Sequence, residues 1–252
     1  MSEQTFLNSF IVIWFILALV VFRNLFSAPA PYGRYVEKKA GRSIPNKWGW
    51  MIMESPTVFV FGAMFLVGNH NNTTTAIVFL LMWMAHYVQR TFIYPFLLRG
   101  GKRMPLRIVV LALFFNFVNG YVNGRYLFEF SGGYPDGWLT DLRFLLGASL
   151  FTIGYIINRH ADWILHSLRE PGESGYSIPH GGLFRWISCP NYFGEILTWI
   201  GWAVATWSWP GFAFAVWTAA NLAPRSWSHH KWYRMHFVDY PPGRKALLPG
   251  LW

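Results

Sequence analysis

Ionisable and amide side chains are scarce in this sequence, and where they occur they recur at helical spacing. Tyr87, Arg90 and Tyr94 stand at i, i+3, i+7, as do Asn116, Asn119 and Asn123. Asn158, Asp162, His166 and Arg169 follow i, i+4, i+8, i+11, as do Arg225, His229, Tyr233 and His236. Asn191 and Glu195 are four apart, directly after Pro190, a residue suited to a first helical turn. Residues three and four apart share one face of an α-helix, so each set is a polar stripe. Glu54, within Ile52-Met53-Glu54-Ser55-Pro56, adds a carboxylate near the start of an otherwise apolar run. One stripe alone would serve as helix–helix glue; several predict a shared water-accessible cavity.

The residue types in these stripes suggest what the cavity holds. Arg169, Arg225, Arg244 and Lys245 suit phosphates, arginine through its bidentate fork. Asp162, Glu195 and the asparagines suit ribose hydroxyls and amides. The mixture describes a nucleotide cofactor bound by helices, because no G-x-G-x-x-G follows a strand and no G-x-x-x-x-G-K-[ST] occurs. Metal chemistry is not expected. His229, His230 and His236 resemble one histidine box of a di-iron hydroxylase, but the other five histidines are scattered and H-E-x-x-H is absent. The single cysteine, Cys189, excludes disulfides and a cysteine-based metal site.

The elements that position these residues are hydrophobic helices. Of 252 residues, 54% are hydrophobic, 20% aromatic and only 13% charged, against about 25% charged in soluble domains. No Asp, Glu, Lys or Arg occurs in 4–22, 55–89, 108–124, 144–158 or 196–224. A helix crossing about 30 Å of hydrocarbon needs about 20 apolar residues. Soluble, disordered and secreted classes are therefore excluded. Continuous apolar runs also exclude an outer-membrane barrel, which alternates with period two. The window 55–89 breaks at Gly68–Thr73, and 196–224 breaks at Ser208-Trp209-Pro210-Gly211, where proline and glycine are expected to end a helix.

The expected fold is an all-α membrane bundle of seven spans, about 5–24, 50–68, 74–98, 106–128, 143–166, 191–208 and 211–230. The first span lacks a cationic leader region and a small-residue cleavage site, and is expected to be retained. Of the 21 Lys and Arg, 18 fall in alternate loops, two (Arg125 and Arg143) on the opposite side, and Arg90 lies inside a span. The positive-inside tendency then places the N-terminus outside and the C-terminus in the cytoplasm. The net charge of +10 is thereby assigned to topology and not to nucleic acid. No repeat or low-complexity linker divides residues 1–252, which read as one domain.

Longer stretches carry a family resemblance from about residue 32 to the C-terminus. They are Tyr32-Gly33-Arg34-Tyr35, Glu54-Ser55-Pro56, His86-Tyr87-Val88-Gln89-Arg90-Thr91-Phe92 and Tyr134-Pro135-Asp136-Gly137-Trp138. Further along come Pro179-His180-Gly181-Gly182-Leu183-Phe184, Pro190-Asn191-Tyr192-Phe193-Gly194-Glu195, His229-His230-Lys231-Trp232-Tyr233, Asp239-Tyr240-Pro241 and Arg244–Pro249. The chain resembles the steroid 5α-reductase family, membrane enzymes that reduce the Δ4 double bond of 3-oxosteroids with NADPH. The Pro190–Glu195 run is shared with enoyl-CoA and sterol reductases and resembles membrane methyltransferases that use S-adenosylmethionine. The Glu54 and His86–Phe92 segments narrow the likeness to the steroid branch. One departure is Met53, where the family usually has Gln.

The resemblance implies that Glu54 and Tyr87 hydrogen-bond the steroid 3-carbonyl. It implies that Asn158, Asp162, Arg169, Asn191, Glu195, Arg225, His229, Tyr233 and Arg244 bind NADPH. Residues 106–252 would then supply most of the cofactor site and residues 1–105 most of the substrate pocket. Hydride would reach C5 and a proton C4. Tyr87 donates through its hydroxyl, and Glu54 donates only in its protonated form; two such preplaced donors form an oxyanion hole. The apolar substrate is expected to enter from the bilayer, in contact with membrane lipid, to an enzyme expected to be a monomer. Reduction of an enoyl-CoA or another sterol bond, methyl transfer and transport are the other classes, the last disfavoured by the lack of repeated halves with broken helices. The host membrane is expected to be a bacterial inner membrane or the endoplasmic reticulum.

Overall fold

The computed structural model describes residues 2–31, 33–35, 41–99, 103–168 and 175–252. Seven long helical rods account for most of them: α1 (Glu3–Ser27), α2 (Asn46–Val67), α3 (Thr74–Leu97), α4 (Leu106–Phe130), α5 (Leu142–Ser167), α6 (Pro190–Thr206) and α7 (Trp209–His236). Every expected span coincides with one rod. The first four are long and apolar enough to cross a membrane. The last three carry more polarity or less length. Asn158 and Asp162 lie inside α5, Arg225 and His229 inside α7, and α6 has 17 residues.

The break before α7 differs from the expectation. Helix α6 stops at Trp207, whose φ of 44° lies in the left-handed region. Ser208 then caps α7 by accepting from the Gly211 N–H at 3.1 Å. Pro210 and Gly211 thus begin a helix instead of ending one, because proline lacks only an N–H that the first turn leaves unpaired.

Two short strands, β1 (Ser43–Pro45) and β2 (Arg103–Pro105), pair antiparallel with Ile44 opposite Met104 and tie together the starts of α2 and α4. Helix α1 packs on α7 through Trp14, whose ring lies 4.9 Å from Trp217. The Glu3 carboxylate accepts two 2.8 Å bonds from Arg125 at the end of α4. The outer surface is apolar: Leu66 is 75% and Phe114 68% exposed. Contiguous exposure of this kind is avoided in water and is what lipid-facing helices present.

The tightest contact joins α5 to α6. Gly147 and Gly154 on α5 meet Ala205 and Thr198, while Gly194 and Gly201 on α6 meet Asn158 and Phe151; a Cβ at any of the four would overlap the opposing backbone. Small residues let helices approach to backbone contact. Beside this seam an aromatic stack forms the core, with Phe61 parallel to Trp83 at 4.3 Å and Trp83 5.2 Å from Trp202. Buried indoles need an acceptor: Trp83 donates to Thr57 O at 2.8 Å and Trp138 to Ala205 O at 3.0 Å.

Candidate active site

Two prolines shape the helices that carry Glu54 and Tyr87. Pro56 sits inside α2 and lacks the N–H that would reach Ile52 O. Carbonyls beside Pro56 accept from side chains instead. Ser55 Oγ donates to Ile52 O at 2.9 Å, Thr57 Oγ1 donates to Glu54 O, and Asn116 Nδ2 on α4 donates to Met53 O at 2.7 Å. Pro95 disturbs α3 in the same way, and residues Gln89–Ile93 widen into a π-helical turn closed by the Tyr94 N–H to Gln89 O. Such turns concentrate at functional sites. Across it, Tyr87, Arg90 and Tyr94 face one chamber, as their spacing predicts.

That chamber has a volume of about 540 Å³, within the usual range for a ligand pocket. One group of wall residues is Trp50, Met53, Glu54, Tyr87 and Asn116. Asn116 Nδ2 also donates to Glu54 Oε2 at 3.2 Å, and Asn119, one turn on, donates to the Tyr87 hydroxyl at 3.4 Å. One face of α4 therefore holds both groups. The Met53 side chain reaches the same chamber, packing beside Met104 and Val109.

A second group of wall residues is ionic. The Glu195 carboxylate faces His86 Nε2 at 3.2 Å and accepts from Trp199 Nε1 at 2.9 Å and Asn158 Nδ2 at 3.0 Å. Asn158 also donates to Asn191 O at 2.9 Å, across the glycine seam. Asp162 pairs with Arg159 and, at 3.5 Å, with Arg90, and accepts from Asn191 Nδ2 at 3.4 Å. The Arg90 guanidinium sits over the Trp50 and Tyr94 rings, 4.6 Å from each centroid. Buried charges demand such pairing, and His86, Arg90, Asn158, Asp162, Asn191 and Glu195 also border the chamber, where a polar ligand would complete their bonds.

A smaller cavity of about 180 Å³ adjoins, sharing Tyr176, Tyr192 and Arg225 with the chamber and adding Arg34, Tyr35 and His229. Arg225 donates to the Tyr192 hydroxyl at 2.9 Å and to Asn221 Oδ1 at 3.0 Å. Tyr192 also bonds His229 Nε2 at 3.1 Å. Burial pushes the Tyr35 hydroxyl up to about 12, so it remains a proton donor at neutral pH. Arg34 Nη1, Tyr35 Oη and His229 Nδ1 are buried with no hydrogen-bond partner among the described residues. Such orphans are rare unless a ligand satisfies them, and this set, an arginine with a tyrosine and a histidine beside Arg225, suits an anionic group.

The candidate residues are distributed accordingly. Glu54, Tyr87, Asn158, Asp162, Asn191, Glu195 and Arg225 line the chamber, and His229 the smaller cavity. Tyr233 lines neither; its hydroxyl accepts from Arg34 Nη2 at 3.3 Å. Arg244 is buried over the Tyr240 ring at 5.2 Å, also away from both cavities. Arg169 and Tyr32 lie outside the described residues. The stripe end at His236 turns away, stacking on Trp232 at 4.2 Å. His229 and His230 diverge, the latter bonding Ser188 Oγ at 2.6 Å. Sequence reasoning passed over His86, Arg34 and Trp50 as site residues. His86 had a signal, four residues before Arg90 and beside Tyr87, and Arg34 stands in the Tyr-Gly-Arg-Tyr segment; Trp50 gave none.

An apolar exterior and a half-open, charge-lined chamber between the helices mark a helical membrane protein with a candidate ligand site. Comparison with known proteins sharpens that class. Residues 102–252 match the family model described as 3-oxo-5-alpha-steroid 4-dehydrogenase. The chain is 41% identical over 256 residues to 3-oxo-5-alpha-steroid 4-dehydrogenase 1 of Bos taurus, covering 100% of this chain and 99% of the relative. It is 38% identical over 252 residues to the Homo sapiens protein of that name, covering 99% and 97%. It is 38% identical over 253 residues to a steroid 5-alpha-reductase of Gossypium hirsutum, covering 98% of each. The chain belongs to the 3-oxo-5-alpha-steroid 4-dehydrogenase family, a family of oxidoreductases.

Proposed function

We propose that this protein reduces the Δ4 double bond of a 3-oxosteroid to the 5α product, with NADPH as reductant. The observation that carries the reading is the pairing of Glu54 and Tyr87 on one chamber wall, each held by an asparagine of α4. A conjugated 3-ketone is a poor hydride acceptor until charge developing on O3 is stabilised. Tyr87 donates its hydroxyl hydrogen to O3, and protonated Glu54 donates a second. Preplaced donors of this kind need no reorganisation as charge develops. The fit of a nicotinamide dinucleotide rests on the donor set and on the orphaned polar atoms of Arg34, Tyr35 and His229. Asn158, Asp162, Asn191 and Glu195 would hold its amide and ribose groups, and Arg225, His229 and Arg169 its phosphates. When bound, it supplies the hydride that reaches C5. Tyr233 acts behind this shell by fixing Arg34, and Arg244, whose Nε and Nη1 are buried with no partner among the described residues, offers two more donors to an anionic group. Residues 106–252 thus provide most of the cofactor contacts, and residues 1–105 most of the steroid contacts.

The setting is a multi-pass membrane protein of seven spans, N-terminus outside and C-terminus cytoplasmic, working as a monomer on a substrate that enters from the lipid. The 18-to-2 distribution of basic residues supports this orientation. The test is steroid-dependent oxidation of NADPH by the purified protein. Reduction of the Δ4 bond supports the reading. Cofactor oxidation only with an enoyl-CoA, or no oxidation with the steroid, overturns it.

A further inference from the structure

Behind Tyr87, away from the chamber, three buried side chains form a hydrogen-bond chain whose direction is fixed. Trp202 on α6 donates its indole N–H to Asn123 Oδ1 at 3.1 Å, and Asn123 Nδ2 donates to Asn119 Oδ1 at 3.0 Å. Asn119 Nδ2 then donates to the Tyr87 hydroxyl at 3.4 Å. Trp202, Asn123 and Asn119 are each no more than 2% exposed. An indole N–H can only donate. Asn123 must therefore meet Trp202 with its oxygen and Asn119 with its amide nitrogen. Asn119 in turn has its oxygen occupied and offers only its N–H to Tyr87. The phenolic oxygen is left as an acceptor on that side, and its own hydrogen is left for a group in the chamber.

We infer that Asn119, Asn123 and Trp202 are positioning residues: they orient the Tyr87 hydroxyl so that its hydrogen is presented to the substrate carbonyl. The inference rests on the proposed role of Tyr87 and adds the device that sets the direction of its hydrogen bond. A chain of amides serving only as glue between α3, α4 and α6 would have no reason to act through that hydroxyl.

The test is a set of double-mutant cycles read as kcat and as KM for NADPH. Asn119→Leu removes the donor, and a kcat loss of about tenfold is expected. Asn119→Asp turns donor into acceptor and captures the phenolic hydrogen, so its loss should approach the roughly hundredfold of an absent oxyanion-hole donor. Neither should change KM for NADPH. In a Tyr87→Phe background both substitutions should have no further effect on kcat. Where the aspartate variant does not fold, Trp202→Phe carries the same comparison: a kcat loss with Tyr87 present and none with Phe. Losses of equal size in both backgrounds, or no loss with Tyr87 present, overturn the inference alone. A Tyr87→Phe enzyme at full rate overturns the parent reading and takes the inference with it.

Discussion

Gly194→Ala tests the link between the helix seam and the cofactor site. A Cβ there would lie 2.5 Å from Asn158 N and 2.6 Å from Gly154 O. Ordinary contact begins near 3.4 Å, so α5 and α6 must part locally by about 1 Å. Overpacking of that size costs about 1–3 kcal/mol. The same displacement would stretch the 3.0 Å bond from Asn158 to Glu195 and the 2.9 Å bond to Asn191 O beyond hydrogen-bond range. A bond to a charged group contributes about 1.5–3 kcal/mol. Loss of that order at a ligand-holding pair corresponds to at least about a tenfold rise in KM for NADPH, at 1.4 kcal/mol per decade. The assay is thermal unfolding in detergent together with NADPH titration at saturating steroid. Melting should fall by at least about 2 °C, using the stability-to-temperature scaling for chains of this size. Gly243→Ala is the control, because nothing lies within 4 Å of a Cβ at that site. Wild-type melting and wild-type KM in Gly194→Ala would refute the argument that seam contact places Asn158 and Glu195.

Further outcomes follow from the chamber. Tyr87→Phe keeps the ring among Trp83 and Trp199 and should fold normally while kcat/KM falls at least about a hundredfold; product formation checks it. Glu54→Gln retains a carbonyl for Asn116 and gains an N–H for the substrate, so it should keep measurably more activity than Glu54→Ala in the same assay. Arg225→Ala should raise KM for NADPH by about an order of magnitude, because a phosphate-bound arginine commonly makes two charge-assisted bonds; wild-type NADPH dependence would contradict its role. A reporter fused after Trp252 should read as cytoplasmic, and a periplasmic or lumenal signal would contradict the assigned topology.

Much of the bundle is legible in the sequence because charge is excluded wherever a helix is apolar all round. The limits of α3 and α5 are close to those expected from the charge-free windows and their flanks. The break before α7 falls where the sequence places it, but Pro210 and Gly211, which signal a stop by type, lie just after the Ser208 cap and form the first turn of α7. Within the site, Asn158, Asp162, Asn191 and Glu195 are legible as stripes, since each pair's periodicity is local. Their ion-pair partners are not. His86 meets Glu195, and Asn116 and Asn119 meet Glu54 and Tyr87, only because α2, α3, α4 and α6 pack together. Gly147, Gly154, Gly194 and Gly201 carried a readable signal, two pairs seven residues apart, but small size alone does not say which helix each will meet. Arg244 and Tyr233 mark the reverse case. Their types suit a ligand; neither lines the two cavities, yet Arg244 Nε and Nη1 are buried with no partner among the described residues.

The central claim is most directly tested with NADPH deuterated at the transferring C4 position, incubated with the purified protein and a Δ4-3-oxosteroid. The account predicts a 5α-reduced product carrying one deuterium, located at C5, with the hydrogen at C4 drawn from solvent. A product labelled at C4, or the absence of labelled steroid from folded enzyme that binds NADPH, would contradict it.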